Sequence, residues 1–184
     1  MEADGPPGAQ VAQDALRALA ALRAVRRYTA DPVGDDLLDR ILEAGRWTGS
    51  ARNRQPWRVA VMRDAARRHE LSRLGAYALH LAAAPVVLLL GVDVVGGGAD
   101  AEFDAGRLAQ TLMLAADAVG LGTCPVTFFP DGNVARATAI AGLGPPWRVR
   151  TGIAVGHPAP PAPRTGRPAI PTGRRPLAEI RIDP

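Results

Sequence analysis

A chain of 184 residues, 47% of them hydrophobic, is long enough and apolar enough to bury a sizeable core, and its length favours one domain. The formal charge of +4 is carried entirely by arginines, because the sequence has no lysine, and these are scattered rather than massed; a nucleic-acid footprint is therefore disfavoured. A single cysteine, Cys124, excludes an internal disulfide and a cysteine-based zinc site, and no apolar run reaches the ~20 residues of a membrane span.

Residues 1–10 (MEADGPPGAQ) read as a disordered lead with no apolar signal-peptide core, so a cytoplasmic protein is expected. The rest, 11–184, reads as one domain. A helix is expected over residues 11–26, with Leu16, Leu19 and Ala20 as its apolar stripe. Arg23, Arg26 and Arg27 then fall at i, i+3 and i+4 and share one face. Such a face suits either a phosphate dianion or the solvated, negative end of a helix. Residues 28–36 form a turn-rich connection, with Asp35 or Asp36 available to cap a second helix that ends near Gly45.

The most informative stretch follows, residues 48–57 (TGSARNRQPW). A polar loop between two core elements is where a rigid scaffold can present a site. Asn53 and Gln55 each offer one acceptor and two donors, which suits a flat heterocycle with alternating donors and acceptors. Pro56 steers the chain out into a strand over 57–63. A helix over 64–74 and a short helix or turn over 77–84 come next. Residues 85–92 (PVVLLLGV) form a continuous apolar run typical of a strand buried on both faces. The glycine-rich loop 94–100 lacks a dinucleotide fingerprint. A long helix over 102–119 carries the stripe Leu108, Leu112, Ala115, Ala116 and Val119, and Gly120 closes it. Residues 123–129 are extended, Asp131 caps a helix to about Ile140, and 148–156 is another strand. The proline-rich arm 157–184 ends in a possible edge strand over 177–182.

Nothing here resembles a nucleophile with its base. His69, His80 and His157 lie in no catalytic motif, Cys124 reads as a small buried hydrophobe, and no acidic or histidine cluster has metal-ligand spacing. If the chain is an enzyme, a cofactor carries its chemistry.

Four segments in order resemble the nitroreductase family of FMN-dependent oxidoreductases: residues 21–33 (ALRAVRRYTADPV), 48–64 (TGSARNRQPWRVAVMRD), 103–129 (FDAGRLAQTLMLAADAVGLGTCPVTFF), and 151–158 (TGIAVGHP) with 173–180 (GRRPLAEI). The resemblance implies an α+β fold, an α/β sandwich whose central, mostly antiparallel sheet is flanked by helices. It also implies an intertwined homodimer with FMN at the interface. Arg23 and Arg26 would meet the phosphate, with Arg27 in support and Arg174 joining from the arm. Ser50, Asn53 and Gln55 would bond the ribityl chain and ring edge. Pro125, Val126, Thr127 and Phe128 would lie along the ring, with the Thr127 N–H facing flavin N5. The implied reaction is ping-pong: hydride passes from NAD(P)H through the flavin to a nitroaromatic, quinone or similar small acceptor. Where the family carries an Arg and a Ser or Thr in its opening motif, this chain has Leu22 and Ala24. Losing those partners is expected to weaken FMN binding about tenfold or more. A tailoring dehydrogenase for a small peptide or heterocycle, a flavin-free dimeric relative and an Arg-rich nucleic-acid module are the alternatives.

Overall fold

The computed structural model describes residues 7–160 and 173–183. Its elements are α1 (Pro7–Ala21), α2 (Asp35–Arg46), β1 (Trp57–Met62), α3 (Ala65–Leu71), β2 (Val86–Asp93), α4 (Ala101–Ala118), β3 (Gly122–Thr127), α5 (Asp131–Ile140) and β4 (Trp147–Gly156). Short 3₁₀ turns lie at Ala51–Asn53, Leu79–Ala82, Gly98–Asp100 and Leu177–Glu179. The four strands form one antiparallel sheet in the order β1-β2-β4-β3.

β2 lies inside the sheet with seven of its eight residues buried, which is why its sequence is an unbroken apolar run. Val87 and Leu89 point to one face, where they meet Leu71 and Leu74 around α3 and Val134 and Ala137 of α5. Val86, Leu88 and Leu90 point to the other, against Leu38 and Ile41 of α2 and Leu108 and Leu112 of α4. The period of two along the strand divides the core into two layers, and each leucine so buried contributes ~1.5–3 kcal/mol. The α+β expectation, helices on both faces of an antiparallel sheet, is met.

Local details differ from the sequence reading. Gly34, not an aspartate, occupies the N-cap of α2; Asp35 and Asp36 sit in the first turn, where they complement the helix dipole. The helix expected over 64–74 runs only from Ala65 to Leu71, with Asp64 as its N-cap accepting from Arg67 N at 2.8 Å. Pro130 is the N-cap of α5 and Asp131 its first residue. Gly120, at φ +80°, follows the end of α4 as expected. The described structure begins inside the expected disordered lead, with α1 already formed from Pro7. Where an edge strand was expected over 177–182, residues 177–179 form a 3₁₀ turn and the segment is exposed, pairing with no strand among the described residues. The rest of the proline-rich arm, 161–172, lies outside the described residues.

Apolar side chains on α1 are left uncovered by the described residues: Val11 is 69% exposed and Leu16 66%. No helix among the described residues is long and apolar enough to cross a membrane.

Candidate functional site

The arginine segment is extended rather than helical. α1 ends at Ala21, and Ala24 bridges Thr123 in parallel, with Val25 N bonded to Thr123 O at 2.8 Å. Farther on, Thr29 N donates to His157 O and Ala159 N to Arg27 O, both at 3.0 Å. Pairing against the edge of β3 wins over helix propagation because each bond made there satisfies a backbone group the edge would leave open. The expected single face of three arginines therefore does not form. Alternation along an extended chain separates Arg26 from Arg23 and Arg27. Arg23 folds back to donate to Ala20 O (2.6 Å) and Leu22 O (2.9 Å) at the end of α1. Arg26 stands close enough to Tyr28, His80 and Cys124 for its charge to act on all three. Arg27 is exposed and accounted for only through its backbone.

From Thr123, where this segment pairs, the strand continues into the stretch 125–128. Phe128 N bonds to Arg150 O on β4 at 2.8 Å. In an antiparallel ladder the bonded positions alternate, so Thr123, Pro125 and Thr127 direct their backbone groups away from β4, to the outer edge. Two contacts agree: Thr123 O receives Val25 N, and Thr127 O lies so near Gly75 that a Cβ there would come within 2.7 Å of it. Pro125 has no N–H, so Thr127 presents an outward donor that no residue of the sheet uses. The side chains of Pro125 and Thr127 are exposed, whereas Val126 and Phe128 are core residues that offer backbone alone. Leu22, Arg23, Ala24, Met113, Thr123 and Pro125 line a small cleft of about 190 Å³ at this edge.

Ser50, Asn53 and Gln55 converge as expected, but elsewhere. Gln55 N donates to Ser50 Oγ at 2.8 Å, and Gln55 Nε2 donates to Asn53 Oδ1 at 2.9 Å. The Ser50 hydroxyl proton, the Asn53 amide N–H groups and Gln55 Oε1 are left for a ligand. The loop is held in a costly shape: Arg52, Asn53 and Gln55 have φ of 53°, 53° and 49°, and left-handed residues other than glycine cluster at functional loops. Two long-range bonds hold it, Ala51 N to Asp104 Oδ2 (2.9 Å) and Arg54 Nη1 to Gly97 O (3.0 Å). Asp104 escaped the sequence reading. Its signal was an acid in phase with Leu108, Leu112 and Ala116, on the face of α4 that meets the core; it is 2% exposed.

This loop feeds β1 and the arginine segment lies along β3, the two outer strands of the sheet. Three inter-strand steps, about 14 Å, separate them, and none of the clefts described is lined by both groups. Arg174 is exposed and, among the described residues, bonds to Gly173 O alone, at 2.8 Å. A concavity of about 720 Å³ between α5 and the start of β4 is lined by none of the expected residues.

Ionisable groups near β3 are held neutral. Burial raises the Tyr28 phenol, whose hydroxyl donates to Val25 O, and raises the Cys124 thiol. Burial lowers the His80 imidazole, partly offset by nearby backbone of Cys124 and Tyr77 and reinforced by Arg26. His80 Nε2 is buried without a partner. A thiol so protected is no nucleophile.

The sequence profile of the nitroreductase family matches residues 19–84 and 68–157. An NADH dehydrogenase of Thermus thermophilus is 31% identical over 182 residues, covering 79% of this chain and 87% of that one. An FMN reductase (NAD(P)H) of Bacillus subtilis is 28% identical over 166 residues, covering 79% and 66%. Among solved structures, a candidate nitroreductase from Desulfovibrio desulfuricans, crystallised in complex with FMN, superposes with a TM-score of 0.77 at 30% identity over 98% of both chains. The match runs from the end of α1 through β4 and takes in both the polar loop and the β3 edge, so the chain belongs to the nitroreductase family.

Proposed function

We propose that the chain is an FMN-dependent oxidoreductase that takes reducing equivalents from NAD(P)H and passes them to a nitroaromatic, quinone or similar small acceptor. The observation that carries this reading is the outer edge of β3, where the arginine segment pairs with Thr123 and shares a small cleft with Pro125, two residues before the outward N–H of Thr127 on the same edge. Guanidinium groups suit a phosphate, and an outward donor flanked by exposed Pro125 and Thr127 side chains suits one edge of a flat ring. No carboxylate among the described residues pairs with Arg23 or Arg26, so neither is already neutralised. The donor set therefore fits FMN.

In this reading Arg23, which lines the cleft at this edge, holds the phosphate, with Arg26, Arg27 and the arm's Arg174 adding charge. Pro125 and Thr127 lie along the ring, with Val126 and Phe128 as its rigid backing. Bound FMN supplies two-electron chemistry, which no side chain here could provide. Ser50, Asn53 and Gln55 sit on the opposite edge of the sheet, so we assign them to the site completed by a second copy. A homodimer is supported by the uncovered apolar residues of α1 and of the arm, Leu177 and Ile180. It explains how two half-sites about 14 Å apart in one chain serve one cofactor. Residence in the cytoplasm is part of the same proposal.

The test is direct. The purified protein is expected to be yellow, to release FMN on denaturation, and to bleach when NADH or NADPH is added without air. A colourless protein that takes up no FMN on incubation would refute the proposal. Flavin that binds but resists both nucleotides would instead favour the tailoring dehydrogenase.

A further inference from the structure

A second basic concavity lies beyond the end of β3, between α3 and α5. It has a volume of about 410 Å³ and is lined by Ala66, His69, Glu70, Arg73, Leu74 and Arg136. Arg136 spends only its Nε on Glu70 Oε1, at 2.5 Å. Arg73 has no carboxylate partner among the described residues; its Nη2 meets His69 Nε2 at 2.9 Å. An arginine cannot accept a hydrogen bond, so His69 accepts here and its other ring nitrogen carries the proton. Two guanidinium groups thus face a concavity with one carboxylate between them, and most of their N–H donors are unassigned. That is the donor set of a phosphate monoester site, where planar forks bind oxygens in pairs.

Its position gives it meaning. Arg73 is followed by Leu74, whose carbonyl accepts from Phe129 N (3.1 Å) and from Asn133 Nδ2 (3.2 Å). Asn133 Nδ2 also bonds to Phe129 O at 2.8 Å. The next residue, Gly75, lies against Thr127 O. The cleft is therefore tied by hydrogen bonds to the strand end on which the proposed function places the ring. We infer that this cleft binds a phosphate monoester, and that its physiological occupant is the 2′-phosphate of NADPH. The inference rests on the proposed function for the nicotinamide end. It goes beyond that reading in assigning Arg73 and Arg136 to the distal phosphate and in predicting a preference for NADPH over NADH.

The experiment compares NADP⁺ with NAD⁺, which differ only in that phosphate. Binding is measured by calorimetry on the purified protein, and flavin reduction is followed by stopped flow with NADPH and NADH. The variants are Arg73→Gln, Arg136→Gln and, as a charge control on α3 outside the cleft, Arg67→Gln. The unaltered protein is expected to favour the phosphorylated nucleotide about tenfold or more, the equivalent of one charge-assisted bond. Arg73→Gln and Arg136→Gln should each remove most of that preference and leave NAD⁺ and NADH unaffected, while Arg67→Gln keeps it. Inorganic phosphate should compete with NADP⁺ and not with NAD⁺. A protein that binds FMN but uses both nucleotides equally, or variants that lose both equally, overturns the inference and leaves the proposed function standing. A protein that takes up no FMN refutes the function instead. The cleft is then judged by whether inorganic phosphate raises the melting temperature, and whether Arg73→Gln abolishes the rise; no rise overturns it.

Discussion

Removing the buried carboxylate of Asp104 tests whether a left-handed loop is held for function. Asp104 Oδ2 accepts from Ala51 N at 2.9 Å, and the carboxylate lies 3.6 Å from an Arg107 guanidinium that is about half exposed. A bond from a backbone N–H to a charged acceptor contributes ~1.5–3 kcal/mol, and a half-exposed ion pair at that distance adds less than ~1 kcal/mol. Each left-handed residue beyond it costs ~1–3 kcal/mol, Asn53 the least. The strain of the three residues together, ~3–9 kcal/mol, exceeds what this one bond supplies, so Asp104→Ala should let the loop relax. The expected loss is ~2–3 kcal/mol of stability, or about 5–10 °C in Tm for a domain of this length. FMN affinity should fall about tenfold, because Asn53 and Gln55 are no longer preset. Asp104→Asn, which keeps a neutral acceptor, should lose only ~1 kcal/mol. Thermal unfolding, flavin fluorescence titration and hydrogen exchange at the Ala51 amide measure the three quantities. If that amide exchanges quickly in Asp104→Ala while the FMN dissociation constant stays put, the loop does not govern affinity and the reasoning is wrong.

Other outcomes follow from the β3 edge. Leu22→Arg combined with Ala24→Ser should tighten FMN binding about tenfold by supplying two phosphate partners; an unchanged dissociation constant would place the phosphate elsewhere. Thr127→Pro removes an N–H that the sheet does not use, so Tm should move little while FMN binding weakens about tenfold; a collapse of stability would mean that this N–H pairs within the fold. His80 is held below its usual value of 6.5. The unfolded chain then binds the extra proton first, so this contribution is intact above pH 6.5 and declines as pH falls toward the lower folded value. His80→Gln should flatten that part of the Tm profile, and an identical acid slope in both proteins would show that His80 does not contribute.

The core was legible because its signals are local and repetitive. A short, β-branched apolar run such as residues 86–92 is typical of an inner strand, and the stripe on α4 marks the face that meets the sheet. The loop 48–57 was legible as a site because donors and acceptors crowd a turn that ends in proline. Arg23, Arg26 and Arg27 misled because helical spacing continues past Ala21, while the open edge of β3 offers bonds that stop the helix there. Asp104 was hidden because an acid on a helix is normally solvated; only the approach of the Ala51 N–H, 53 positions away in the chain, explains its burial.

Composition and periodicity alone therefore determined a chain of mixed helices and strands with an amide-rich loop and spare arginines; the α+β arrangement was expected only from the family resemblance. The tertiary structure decided which of those groups share an edge. Strand order is set by long-range pairing, which places the loop against β1 and the arginine segment against β3. Periodicity within one segment carries no information about that distance.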